Sequence, residues 1–286
     1  MGLVKTWAHA LKLLRAAQIA QLHEHRRILL ESARNSDERR LLKFGYRVYS
    51  QADEDGIIRE IFRRIGEGQR TFLELGAGNG SENNSLFLLS QGWRGAWIEG
   101  SSRNVLAAKR NLSAAISEGR LRVEQHFVTA PNIDATVARL TPIKDVDLLA
   151  IDLDGNDYYV LDAIRSIAPR VIVAEYNPKF PADVFWVMQY NESHHWDSTD
   201  YFGASLKAYE TLLSPRGYSL VGCNLLGTNA FFVRSDLAAA ASFCSPFTAE
   251  NHYEPARYYL LAAYRSGHPE RFGPSVSGPD PATTPK

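Results

Sequence analysis

The sequence predicts an α/β fold: a mostly parallel sheet with helices on both faces, closed by an antiparallel hairpin near its C-terminal end. Three observations predict it. From residue 71 to 174, short apolar runs alternate with amphipathic segments of helical length. The runs at 147–151 and 171–174 are almost wholly apolar, as strands covered on both faces are. Beyond them the alternation stops, and two strand-like segments at 219–223 and 230–234 lie one turn apart. With 286 residues, 45% hydrophobic and 22% charged, the chain can bury one large core.

In chain order, residues 1–44 read as an amphipathic helical extension, helical to about residue 40. Leu3, Trp7, Leu11, Leu14 and Leu22 fall on one face, interrupted by Gln18 and Gln21, and Lys5, Lys12, Arg15, Arg26 and Arg27 supply a basic face. Such a helix packs on its own domain, pairs with a second copy as a homodimer, or lies on a membrane surface. Residues 53–65 form the next helix, with Ile57, Ile58, Ile61, Phe62 and Ile65 as its apolar stripe and Gly66 and Gly68 ending it. Strands are expected at 71–75, 95–98, 122–128, 147–151 and 171–174. A helix starts at 85–90 and another spans 104–118. The long polar and aromatic stretch 178–200 reads as a functional loop. A helix at 204–213 and the hairpin complete the domain, set at 45–272, and the Pro-, Gly-, Ser- and Thr-rich tail 273–286 is expected to be disordered.

A formal net charge of zero argues against a general nucleic-acid binder. Cys223 and Cys244 have neither metal-ligand spacing nor a disulfide framework, which suits reduced thiols in a cytoplasmic protein. No apolar run reaches the roughly 18 residues of a transmembrane helix.

The most informative segment runs from Glu74 through Gly76, Gly78, Asn79 and Gly80. Glycines at alternating positions after a strand let the backbone turn sharply and approach a ligand. Their spacing departs from the dinucleotide pattern G-x-G-x-x-G. Glu74, just before the loop, suits a cationic amino-acid ligand better than a pyrophosphate. Glu99 ends the next strand, where a carboxylate can take both hydroxyls of a ribose. A second set of polar residues ends the fourth and fifth strands: Asp152, Asp154, Asn156 and Asp157, then Glu175 and Asn177. In a parallel sheet these ends are neighbours. The long loop adds His194 and His195, of which one can take a proton from an attacking hydroxyl, contact substrate, or serve structure only. Trp186, Tyr190, Trp196, Tyr201 and Phe202 can stack on a sugar or simply pack the loop. Asn224 and Asn229 flank the hairpin turn.

An acid followed by G-x-G-x-G, with a second acid closing the following strand, resembles the class I S-adenosylmethionine-dependent methyltransferases. More closely, residues 49–56 (Tyr-Ser-Gln-Ala-Asp-Glu-Asp-Gly) are similar to the S-Q-x-x-E-D-G lead-in of FkbM-like methyltransferases. Residues 151–155 (Ile-Asp-Leu-Asp-Gly) resemble their I-D-x-E-G segment, with Asp154 in place of Glu. The resemblance covers about residues 45 to 235 and implies a Rossmann-like, seven-stranded fold. It implies that S-adenosylmethionine lies over Gly76, Gly78 and Asn79, with Glu99 on its ribose. Thr129, Ala130 and Asn132 would line the adenine, Gln51 and Asp55 would close the site, and Glu74 and Asp152 would face the donor. It further implies O-methylation of a sugar, glycan or small natural-product hydroxyl, with Asp152, His194 and His195 as candidate catalytic residues. By similarity to catechol-type enzymes, Asp152, Glu175 and Asn177 are a candidate Mg²⁺ set, although Glu-Tyr-Asn stands where those enzymes carry Asp-Asn. The rival readings are a nicotinamide-dependent oxidoreductase, and a methyltransferase fold kept for partner binding without catalysis.

Overall fold

A computed structural model describes residues 2–140 and 146–265, with backbone alone for residues 2–6 and 8. The tail 273–286 lies outside the described residues. In chain order the main elements are α1 (Gly2–Leu30), α2 (Glu54–Ile65), β1 (Thr71–Leu75), α3 (Leu86–Ser90), β2 (Arg94–Glu99), α4 (Ser102–Asn111), α5 (Ser113–Ser117), β3 (Leu121–Gln125), α6 (Ala130–Leu140), β4 (Leu148–Ile151), α7 (Asp157–Ala163), β5 (Val171–Glu175), α8 (Leu206–Leu213), β6 (Tyr218–Cys223), β7 (Asn229–Arg234), α9 (Ser235–Ala240), α10 (Ala249–His252) and α11 (Leu261–Tyr264).

The strands form one seven-stranded sheet in the order β3-β2-β1-β4-β5-β7-β6. The first five are parallel, and β7 runs antiparallel to both β5 and β6. This is the Rossmann-like methyltransferase arrangement, with the closing hairpin where the sequence places it. Successive side chains of a strand face opposite sides, so each strand feeds two cores. Leu73, Leu75, Leu149, Ile151 and Ile172 pack under α6, α7 and α8. Phe72, Trp97, Leu148, Ala150 and Val173 pack under α2, α3, α4 and α5. A third, smaller cluster joins Leu42, Ala52, Leu225, Leu226 and Leu260 to Leu22, Leu29 and Leu30 of α1.

Several boundaries differ from the sequence reading, each for a local reason. The extension is α-helical to Leu30 and continues as short 3-10 turns at Ala33–Ser36 and Leu42–Phe44, with Leu41 and Leu42 already core residues. The helix expected at 104–118 is two helices, broken at Leu112, whose backbone leaves the helical region (φ −116°, ψ 22°). The third strand stops at Gln125 rather than Val128. Asn132 closes that stretch by accepting the Thr129 N–H and donating to the Phe127 carbonyl. The chain then enters a helix, α6, with Ile133, Val137 and Leu140 buried at helical spacing. Cys223 and Cys244 are buried free thiols.

Candidate functional site at the carboxyl edge of the sheet

The strand order reverses direction between β1 and β4, the place where open parallel sheets leave a crevice for ligands. The loop after β1 fills this point with little room to spare. Gly76 sits at φ +81°, and a Cβ there would lie 1.7 Å from the Asp152 carbonyl oxygen. Its N–H bonds the Ile98 carbonyl at 2.9 Å, while Asp152 N–H bonds the Leu75 carbonyl at 3.1 Å. The loop and the end of β4 therefore lock each other. Gly80, at φ +72°, leaves space for the Trp97 ring, which an added Cβ would approach to 2.7 Å. Gly78 is different: at φ +59° a Cβ would meet nothing within 4 Å. Open space lies over the loop at that residue.

Glu99 borders the same space. Its carboxylate accepts the Gly78 N–H and the Ser101 N–H, each at 2.8 Å. The Asn104 side-chain amide also donates to it, at 3.5 Å. A carboxylate has about four lone-pair sites, so one is spare and the long Asn104 contact is the easiest to exchange for a ligand hydroxyl. Asn79, exposed, turns its amide oxygen onto Ser81 N–H (3.0 Å) and Ser81 O–H (2.6 Å), shaping the loop rather than facing inward. Thr129 precedes Ala130, the first residue of α6, and its hydroxyl is buried with no hydrogen-bond partner among the described residues. These features fit a nucleoside: a cradle above Gly78, a spare acceptor on Glu99 and an orphaned donor at Thr129.

Glu74 faces away from the crevice, into the layer of α2 and α3. It accepts the Asn84 N–H (2.8 Å), the Ser85 N–H (3.0 Å) and the Ser85 hydroxyl, which in turn accepts the Trp97 indole N–H at 2.7 Å. Burial pushes its carboxyl up to about 7. Asp55 is likewise committed inside the fold. One oxygen collects the N–H groups of Val48, Tyr49 and Ser50 at 2.6, 2.7 and 2.9 Å, and burial raises the group to about 6. Asp55 thus holds the segment that carries Gln51, whose amide is half-buried and makes no hydrogen bond among the described residues. The lead-in acids also tie the hairpin down: Glu54 accepts from the amides of Asn224 (2.7 Å) and Asn229 (3.1 Å). Asn224 in turn accepts the Thr228 and Asn229 N–H groups across the turn.

The second set of acids converges. Asp152, Asp154 and Glu175 each offer a carboxylate oxygen, all within 4.8 Å of one another. Burial, then the neighbouring Asp157, Asp154 and Glu74, hold Asp152 well above the usual carboxylate range. Burial and Asp152 do the same to Glu175. Three crowded carboxylates need either a shared proton or a cation. Asn177, the third member expected from the sequence, has its amide engaged in the loop: it is buried, donates to the carbonyls of Asp200 (2.9 Å) and Phe202 (3.0 Å), and accepts the Lys179 N–H at 3.1 Å. Asp154, which stands with Asp152 and Glu175 instead, has a left-handed conformation (φ +55°) uncommon for a non-glycine residue.

The loop brings His194 against this cluster. A Cβ on Gly155 would come within 2.2 Å of the His194 ring, so the glycine makes room for the histidine. His194 Nε2 lies 3.1 Å from the Asp154 carbonyl oxygen. A carbonyl only accepts, so Nε2 carries the hydrogen and Nδ1 keeps the lone pair in the neutral ring. Asn156 and Asn191 anchor the loop there through a 2.7 Å hydrogen bond to the Asn191 carbonyl. His195 is exposed and leans on Phe127, with ring centroids 5.4 Å apart. Trp186 stacks on Phe180 (4.4 Å, 19°) and meets Tyr201 edge-on, so these rings pack the loop itself. One neighbour had no signal in the sequence. Tyr258, just before α11 and half exposed, has its hydroxyl pushed up to about 12 by partial burial and by the charge of Glu175.

No protein-family model and no curated protein matches the chain. Among solved structures it is similar to an O-methyltransferase from Bacillus cereus in complex with SAH, at 15% identity and a TM-score of 0.41, covering 76% of this chain and 89% of that one. It is also similar to a putative caffeoyl-CoA O-methyltransferase from Staphylococcus aureus, at 16% identity and a TM-score of 0.44, over 62% and 81% of the two chains. A third is a SAM-dependent methyltransferase from Aquifex aeolicus, at 14% identity and a TM-score of 0.38, over 69% and 94%. Likeness at this level concerns the path of the backbone and assigns no role to any residue.

Proposed function

We propose that the chain is an S-adenosylmethionine-dependent O-methyltransferase acting on a hydroxyl of a sugar, glycan or small natural product. The observation that carries this reading is the open space over Gly78 beside the Glu99 carboxylate, which keeps a spare acceptor site. In this reading Glu99 grips the ribose diol, Thr129 and Ala130 border the base, and the backbone of residues 76–79 runs beneath the amino-acid part. Glu74 and Asp55 act through the loops they hold. When bound, the donor supplies a methyl group on a sulfonium, which any oxygen nucleophile can attack in one displacement.

The residues of the chain then have two tasks. Asp152, Asp154 and Glu175 orient the acceptor at the carboxyl edge, and the spacing of their oxygens also suits a divalent cation such as Mg²⁺. His194 Nδ1 takes the proton as the hydroxyl oxygen forms its bond to carbon. The C–S electron pair leaves with sulfur, so the products are the methyl ether, S-adenosylhomocysteine and a protonated imidazole. Calorimetric titration with S-adenosylmethionine tests the reading. Micromolar binding that Glu99→Ala weakens at least tenfold supports it; no binding, or tighter binding of NAD⁺ in the same assay, ends it.

A further inference from the structure

α1 is 29 residues long, but only its C-terminal part is packed. Leu22, Leu29 and Leu30 meet the C-terminal cluster, Arg26 donates to the Tyr264 hydroxyl at 3.0 Å, and His25 bonds the Tyr259 hydroxyl at 3.0 Å. N-terminal to Ile19 every described side chain of the helix is exposed. That stretch, about 25 Å of helix, carries Trp7 (69% exposed), Leu11 (62%) and Leu14 (67%) at i, i+4 and i+7. The three share one face, which continues the stripe occupied further along by Leu22 and Leu29. Large apolar groups arranged in this way need a covering surface.

Charge decides what kind. Residues 1–23 contain Lys5, Lys12 and Arg15 and not one acid; the first acid is Glu24. A second copy packed through the apolar face would leave these cations without a counter-charge. An anionic lipid surface accepts both the cations and the aromatic–leucine face, and Trp is well suited to the headgroup boundary. Three cations at such a surface multiply binding by about a hundredfold, at roughly fivefold each.

We propose that the N-terminal half of α1 lies in the plane of an anionic phospholipid bilayer. The packed half of the same helix touches Tyr259 and Tyr264, so the membrane contact is fixed to the folded domain. It does not depend on the methyltransferase reading.

The test is co-sedimentation of the full chain with vesicles of phosphatidylglycerol and phosphatidylcholine, compared with phosphatidylcholine alone. The expected result is binding to the anionic vesicles only, weakened at least tenfold by high salt and lost in the double variant Leu11→Glu, Leu14→Glu. Both positions are exposed, so the variant should keep its melting temperature and its affinity for S-adenosylmethionine. No binding by the wild type, or equal binding by the variant, overturns the proposal. So does a wild-type dimer in sedimentation velocity that the variant dissolves, because a second copy would then cover the face. Vesicle binding by a chain that fails to bind S-adenosylmethionine would leave the membrane contact standing and remove only the activity.

Discussion

The Glu99 carboxylate and the Gly78 amide are joined by a 2.8 Å hydrogen bond that ties the end of β2 to the middle of the glycine loop. One side chain thus shapes the cradle and presents acceptors to whatever lies in it. Removing it should act twice. Glu99→Ala is expected to weaken S-adenosylmethionine by about 10- to 100-fold, the value of losing charged hydrogen bonds to two hydroxyls, and to lower the melting temperature of the ligand-free protein. Glu99→Gln should restore only part of the second effect, because its NH₂ would face one of the two N–H groups that the carboxylate accepts, and little of the first. Calorimetry and thermal melting separate the two; equal binding by Glu99→Ala would remove the ribose from this residue.

The glycines should divide sharply. Gly76→Ala drives a Cβ to 1.7 Å from a backbone carbonyl and should unfold the loop or the domain. Gly78→Ala meets open space and carries only the left-handed backbone cost, about 1–2 kcal/mol. It should fold, with a melting temperature a few degrees lower, and yet bind S-adenosylmethionine at least tenfold less well, because the methyl group occupies the cradle. Undiminished binding by folded Gly78→Ala would place the ligand elsewhere.

The two adjacent histidines should behave unequally. His194→Gln is expected to reduce kcat by about 100- to 10,000-fold, the usual range for loss of a general base. Its residual rate should rise with hydroxide, without the inflection of an imidazole. His195→Gln should change kcat less than threefold. A pH–rate profile of each variant checks this, and equal losses would return the assignment to either residue.

Buried carboxyls give the ligand-free protein a pH signature. Glu74 and Asp53 are each pushed up to about 7, chiefly by burial, from ordinary values near 4. Their contribution to stability is complete below the unfolded value and is lost as pH rises through 7. His252, which burial holds down to about 3, works in the opposite direction, but only below its unfolded value of 6.5. Between pH 6.5 and 8 the carboxyls act alone, so the melting temperature should fall across that window. Glu74→Gln should flatten the slope while lowering the plateau, because an amide NH₂ would face the Asn84 and Ser85 N–H groups. A rise in melting temperature over the same interval would contradict this account.

For the acid cluster, a few millimolar Mg²⁺ or Mn²⁺ should raise the melting temperature, and more strongly at pH 8 than at pH 6, where protons compete for Asp152 and Glu175. Glu175→Gln should abolish the effect, and Asn177→Ala should leave it intact while loosening the loop. A metal response that survives Glu175→Gln would locate the ion outside this cluster.

Much of the fold is legible in the amino-acid order, and the reasons are physical. The fourth and fifth strands are apolar because both their faces are covered, which makes them conspicuous. Gly76 and Gly80 announce themselves because no other residue fits beside Asp152 and Trp97. Side-chain direction is not legible. Glu74 and Glu99 read as a matched pair, yet strand alternation turns Glu74 into the helical layer while Glu99, at a strand end, borders the crevice. Asn177 resembles a ligand because its neighbour Glu175 does face the acids; two residues further along, the chain has already left the strand. The helix α6 is hidden because its start, residues 129–132, carries the polar pattern of a loop. Tyr258 is beyond reach altogether: its position depends on how the last described segment folds back.

Among the fastenings of the long loop between β5 and α8, Asn156 holds Asn191 on one side and Asn177 holds Asp200 and Phe202 on the other. Neither fastening touches the glycine loop or Glu99. Within the stretch between them, residues 196–199 lie beyond His194 and the His195–Phe127 contact and can therefore be rewritten without disturbing the nucleoside half of the molecule. A family built on this plan would diversify its choice of acceptor by editing those few residues and leave the rest of the machine as it stands.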